Sequence, residues 1–139
     1  MLGAIVSLPI LAIIAAVHLY WAAGGQWGKA AAVPERDGKP VLTPGALGTL
    51  AVAGGLAVVA VVVAMQAGVL WPGPLRPVTR VVSWAAAVVF GLRAVGDFRY
   101  VGFFKQVKGS RFARLDTVFY APLCVVLAIA VSDVAAEGA

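Results

Sequence analysis

The sequence predicts an all-α fold, a polytopic bundle of four transmembrane helices. Three observations carry this reading. Four apolar runs, at about 2–23, 46–70, 81–104 and 115–134, each reach the roughly 20 residues that a helix needs to cross the hydrocarbon core. The 139-residue chain is 62% hydrophobic and 12% charged, with a mean hydropathy of +0.96, whereas a soluble domain carries about a quarter charged residues. The Lys and Arg residues fall mostly between the runs, where membrane topology places them. Residues 1–139 therefore read as one integral membrane domain. Open sheet edges are not tolerated in lipid, which leaves helices as the spanning elements.

The first run begins at Leu2. Residues 1–17 hold no Lys or Arg, so the charged start of a signal peptide is missing and the run reads as a retained helix. Gly24, Gly25 and Gly28 stop it and turn the chain. The second run opens after Thr43-Pro44, which reads as an N-cap followed by proline at the first helical position. It is mainly Ala, Val and Gly. Ala51 and Gly55, then Ala60, Ala64 and Gly68, repeat at four-residue spacing, which suits close packing inside the bundle or a homo-oligomer through this helix. The stretch LWPGPLRP (70–77) ends it with three prolines. Thr79 or Ser83 caps the third run, and Asp116 or Thr117 starts the fourth. Pro122 falls inside the fourth run, where it should kink the helix and free the Val118 carbonyl.

Charge sets the expected orientation. Loop one carries Lys29, Arg36 and Lys39. Loop three with its flanks carries Arg99, Lys105, Lys108, Arg111 and Arg114, whereas loop two has only Arg76 and Arg80. Loops one and three share a side, so the positive-inside rule puts both in the cytoplasm and both termini outside. The expected location is the inner (plasma) membrane of a bacterial cell, with the lipid bilayer as principal partner. The net charge of +5 does not indicate nucleic acid, because the cations sit at membrane boundaries and no recognition motif accompanies them. Cys124 is the single cysteine, so neither an internal disulfide nor a Cys/His metal cluster is possible. No cofactor is implied, and two-histidine haem ligation is excluded by the single histidine, His18.

The polar residues inside the runs form the candidate site. HLYWAAGGQWG (18–28) ends the first run. Its aromatics suit an interfacial belt, but a titratable ring there calls for another reason. RAVGDFRYVGFFK (93–105) ends the third, and helical spacing would put Arg93, Asp97, Tyr100 and Phe104 on one face. Intramembrane charges are costly and face the bundle interior or water. Asp116 and Tyr120 lie one turn apart at the start of the fourth run. All these groups fall in the cytoplasmic half of the bilayer. His18 is the natural proton donor or acceptor near neutrality. Asp97 would orient its ring, and Arg93 would hold an anionic or carbonyl oxygen. Tyr20, Trp21, Tyr100, Asp116 and Tyr120 are the candidate ligand contacts. A salt-bridge network that only locks the bundle, or a proton or ion path, would use the same residues.

At these residues the chain resembles a family of small bacterial four-helix membrane proteins known as a domain of unknown function. His18, Tyr20, Trp21, Gly24, Gly25, Trp27 and Gly28 match its H-x-Y-W-x-x-G-G-x-W-G start. Arg99 to Lys105 match R-Y-V-G-F-F-K, and Tyr120 to Cys124 match Y-[SA]-P-L-C. The resemblance implies membrane placement and brings no activity. The function expected from the residues is binding of a small apolar or lipid-like molecule, with acid–base transformation as an extension. The rivals are a small oligomeric transporter or channel, and a structural or accessory subunit. A transporter would need a polar path across the whole membrane, and the second run offers only Thr49 and Gln66, the outer half of the first only Ser7.

Overall fold

A computed structural model describes residues 1–137. Four long helices follow one another: α1 (Leu2–Ala22), α2 (Ala46–Gln66), α3 (Arg76–Val95) and α4 (Arg111–Glu137). All four are long and apolar enough to cross a membrane, as the composition predicts. The protein is an all-α, multi-pass membrane bundle. Helix α1 packs on α2 and α4, and α3 packs on α4 and α2. Short turns at Ala30–Ala32 and Gly73–Leu75 and a two-residue-per-strand hairpin, Glu35–Arg36 with Lys39–Pro40, complete the regular structure among the described residues.

The burial pattern is that of a protein dissolved in lipid. Ile13, Leu47, Val58, Val81, Leu92 and Ile129 are exposed, whereas Ser7, Gln66, Thr79 and Ser83 are buried. Lipid tails solvate Val and Leu as well as a core does, so polar groups are the ones that must find partners inside. Ser7 Oγ donates to the Gly3 carbonyl (2.7 Å), and Thr79 Oγ1 donates to Gln66 Oε1 (2.9 Å), joining α3 to α2. Leu11, Val63, Leu127, Val131 and Val134 form the centre of the core. Of the small residues on α2, Ala64 is buried and Ala60 packs against the core, but Ala51 and Gly55 are exposed.

Three boundaries differ from expectation. Helix α2 begins at Ala46 with Gly45, not Thr43, at its N-cap, and it closes at Gln66. Helix α3 starts at Arg76 with Pro77 in its first turn, so Thr79 and Ser83 lie within the helix and cap nothing. It also stops at Val95, nine residues before the expected end at 104. The cause is Gly96, whose φ of 92° leaves the helix and whose N–H closes on Leu92 O at 2.8 Å. Asp97, Tyr100 and Phe104 are therefore loop residues that share no helical face with Arg93. Helix α4 starts earlier than expected, at Arg111. Ser110, rather than Asp116 or Thr117, caps it, its Oγ accepting the Ala113 N–H at 3.0 Å.

Residues Asp116–Tyr120 of α4 form a π-helical segment, closed by the Ala121 N–H on the Asp116 carbonyl. Pro122 has no N–H for the Val118 carbonyl, and its ring would crowd that oxygen in a regular α-turn. The wide turn just before the proline relieves that crowding, and such turns recur at functional sites.

Candidate functional site

The first motif builds a corner. His18 Nδ1 donates to the Ile14 carbonyl at 2.8 Å, and the Trp21 ring meets the imidazole edge-on at 5.2 Å. A carbonyl can only accept, so Nδ1 carries the proton. In the neutral ring Nε2 keeps its lone pair. Trp21 Nε1 donates to the Trp27 carbonyl (2.8 Å), and the Trp27 N–H donates to Tyr20 Oη (3.3 Å). The Tyr20 ring lies where a Cβ on Gly25 would stand. Tyr20 and Trp27 thus shape the turn after α1, and Trp21 both shapes it and holds the histidine.

The second motif meets the start of α4 at a buried carboxylate, four residues before the third motif. Asp116 is 0% exposed. Its Oδ1 accepts Arg93 Nη2 at 2.9 Å, and its Oδ2 accepts the Gly102 N–H at 2.7 Å and Lys105 Nζ at 3.1 Å. Lys105, 3% exposed, also donates to the Gly102 carbonyl (2.9 Å) and Thr117 Oγ1 (2.6 Å). Asp116 therefore pins the loop after α3 to the π segment of α4 through Gly102 and Lys105, and ties α3 to it through Arg93. Within that loop Asp97 Oδ1 accepts the N–H groups of Arg99, Tyr100 and Val101 at 2.7–3.0 Å. Desolvation, the largest single influence, pushes the Asp97 pKa up. Those N–H groups and Asp97's own backbone N–H together outweigh it and hold the pKa below its ordinary 3.8.

Between α1 and α4 lies a cavity of about 540 Å³. Ile10, Ile13, Ile14 and Val17 line it from α1, with Phe119 and Leu123 opposite on α4. His18, Trp21, Arg93, Tyr120 and Cys124 contribute its polar and polarizable groups. Tyr120 Oη donates to the Ala31 carbonyl at 3.1 Å, which brings the turn at Ala30–Ala32 against this end of the cavity.

The structure thus brings together four of the expected site residues, His18, Arg93, Trp21 and Tyr120. Asp116 stands behind them, bonded to Arg93. Asp97 does not orient His18: its carboxylate serves its own loop, and the imidazole is held by Ile14 instead. The helix ends before Asp97 can reach the bundle face. Tyr100 stacks beneath the Arg99 guanidinium (5.2 Å), and Tyr20 is exposed; neither lines the cavity. Lys105 was read as a loop cation, although its place three residues after Gly102 is what lets it close on that carbonyl. Cys124, the single cysteine, lies on the cavity wall. Among the described residues no group of three or more His, Cys, Asp or Glu side chains could hold a metal ion.

The family described as "Protein of unknown function (DUF3995)" matches residues 11–131. The chain belongs to the DUF3995 family. The matched span runs from the middle of α1 through most of α4, and it contains the corner, the carboxylate cluster and all of the cavity wall except Ile10. No curated protein and no solved structure matches this DUF3995 chain.

Proposed function

We propose that this DUF3995 protein binds a small apolar or lipid-like molecule in the α1–α4 cavity, from the cytoplasmic leaflet of a bacterial plasma membrane. The observation that carries the reading is the cavity itself. Its volume of about 540 Å³ lies within the 300–1,000 Å³ typical of ligand sites, and it combines apolar walls with a few convergent polar groups in the way such sites do. A packing network alone needs no such space.

The chemistry open to the site is proton transfer. With Nδ1–H on the Ile14 carbonyl, the neutral tautomer of His18 would offer Nε2 to accept a proton from the bound molecule and return it afterwards. Arg93 holds an oxygen of the bound molecule. Binding is the core of the proposal, and the acid–base step is its extension. The eight-to-two distribution of Lys and Arg supports termini outside and loops one and three in the cytoplasm.

The test is mass spectrometry of an organic extract of the purified protein beside Cys124→Phe, which puts a bulky ring into the cavity, and His18→Ala. A small molecule enriched in the wild type and lost from Cys124→Phe is the expected result. Identical extracts from folded wild type and Cys124→Phe would overturn binding. Bound ligand that is chemically the same in wild type and His18→Ala would overturn the acid–base step alone.

A further inference from the structure

We infer that the cavity takes an anionic amphiphile, with a carboxylate- or phosphate-type head on Arg93 and an apolar chain along α1. This rests on the cavity being a ligand site and names the class of ligand.

The charge around Asp116 does not balance. Arg93 and Lys105 both face this one carboxylate, each through a hydrogen bond. Asp97, the nearest acid in sequence to Arg93, spends its Oδ1 on three backbone N–H groups of its loop. Asp133 bonds the Gly3 N–H, and Glu137 pairs with the N-terminal amine, both at the other end of the bundle. Two cations against one anion leave a surplus positive charge where desolvation is expensive. A bound anion would neutralise it.

The geometry says where that anion would sit. A guanidinium has five N–H donors in a planar fork. Among the described residues Arg93 makes one side-chain hydrogen bond, from Nη2; its Nη1 has no partner and is closed to solvent, so a small turn of the guanidinium would bring it to a ligand. The side chain is still 34% accessible, and Arg93 lines the cavity. The unspent donors therefore belong to the one residue that touches both the ion cluster and the cavity. His18 stands on the same wall.

The shape of the site completes the argument. Ile10 lies eight residues before His18 on α1, or about 12 Å at the helical rise. The cavity thus runs from its charged end into the apolar depth of the bundle, lined there by Ile10, Ile13 and Ile14. A charged head with a chain fits both ends at once. A neutral oil would leave the Arg93 donors unpaired, and a small inorganic anion would leave the apolar part empty.

The probe is dibromostearic acid, compared with its methyl ester and with an amine of similar chain length carrying the same two bromines. Bromine quenches indole fluorescence on contact, and Trp21 lies on the cavity wall. The wild-type protein in a neutral maltoside detergent should show saturable quenching by the acid, and Trp21→Phe should lose it. The acid should bind roughly tenfold or more tighter than the ester, as one added charge-assisted hydrogen bond predicts, and the amine weakest. Arg93→Gln should bring the acid down to the level of the ester. If that variant does not fold, the wild-type order of acid, ester and amine decides alone. Equal quenching by acid and ester would overturn the anionic head while leaving the ligand site intact. No saturable quenching by any of the three, in folded protein, would remove the site as well. Unlabelled hexadecyl phosphate, added as competitor, separates the two head groups: displacement at lower concentration than palmitate assigns a phosphate, and the reverse a carboxylate.

Discussion

Asp116 is the residue on which the end of the bundle next to the loop after α3 depends. It pairs with the buried Lys105 and the part-buried Arg93 and receives the Gly102 N–H. Removing one partner from a buried ion cluster costs about 3–5 kcal/mol, because the charges left behind lose their compensation. Asp116→Asn strands two cations and should lower the thermal midpoint in detergent more than any other change in the cluster. Lys105→Met removes the surplus charge and leaves the Arg93–Asp116 pair, so its loss should be clearly smaller. The opposite order would mean that charge balance does not organise the cluster. Asp97 acts more locally. Its folded pKa lies below the ordinary 3.8, so its stabilisation of the loop is complete above that value and is lost as pH falls through the folded pKa. The amides of Arg99, Tyr100 and Val101 should then lose hydrogen-exchange protection below about pH 4 relative to that expected from intrinsic rates. In Asp97→Ala they should be poorly protected at all pH values. Unchanged protection across that range would remove the carboxylate from the account. Charge in an apolar run made Arg93 and Asp116 legible in the sequence. Partner choice was not legible: Asp97 and Asp116 are the same side chain, and only the backbone around each decides that one is buried and the other serves a turn.

At the scale of elements, hydropathy located the four helices and misjudged the end of the third. Tyr100, Val101, Gly102, Phe103 and Phe104 are as apolar as a helix interior, so the run continues where the helix does not. The stop comes from backbone geometry. A Cβ on Gly96 would lie 1.7 Å from the Val101 carbonyl oxygen, and one on Gly102 would lie 2.3 Å from that of Val95. Both glycines have positive φ, 92° and 86°. The two backbones touch, and this contact delivers the Gly102 N–H to Asp116. Gly96→Ala should therefore be severely destabilising, since the clash is with backbone and the left-handed conformation alone costs about 1–2 kcal/mol. Gly91→Ala, inside α3 with open space around it, should be neutral or stabilise by up to about 1 kcal/mol through helix propensity. Thermal unfolding of the two variants side by side checks this. Equal effects would show that the close approach is not a constraint. In α4, Pro122 was a visible signal of disruption, and the chain answers it with a π turn that carries Asp116 at its first position.

At the scale of the whole molecule, the fold class was the most legible property because it follows from length and solvent. Four runs of membrane length in 139 residues leave few alternatives. The cavity was not legible, because a void depends on how helices pack in three dimensions, and no local pattern encodes that. The two properties meet in the orientation of the bundle, which decides from which leaflet a ligand would arrive. The corner after α1 and the loop after α3 lie at one end by connectivity, and the cavity residues His18 and Arg93 lie near that end. Lys105 is buried against Asp116, so it does not count as a free surface charge. The remaining loop cations still number seven against the two of loop two, and the positive-inside rule gives the same orientation. In a Cys124→Ser background, Trp71→Cys should react with a membrane-impermeant maleimide in intact cells. Val41→Cys and Gln106→Cys, both at exposed loop positions, should react only after lysis. The reverse pattern would turn the cavity to the outer leaflet and make an extracytoplasmic ligand the one to seek. Mixed labelling at all three sites would indicate two insertion orientations, which a bias of seven to two argues against.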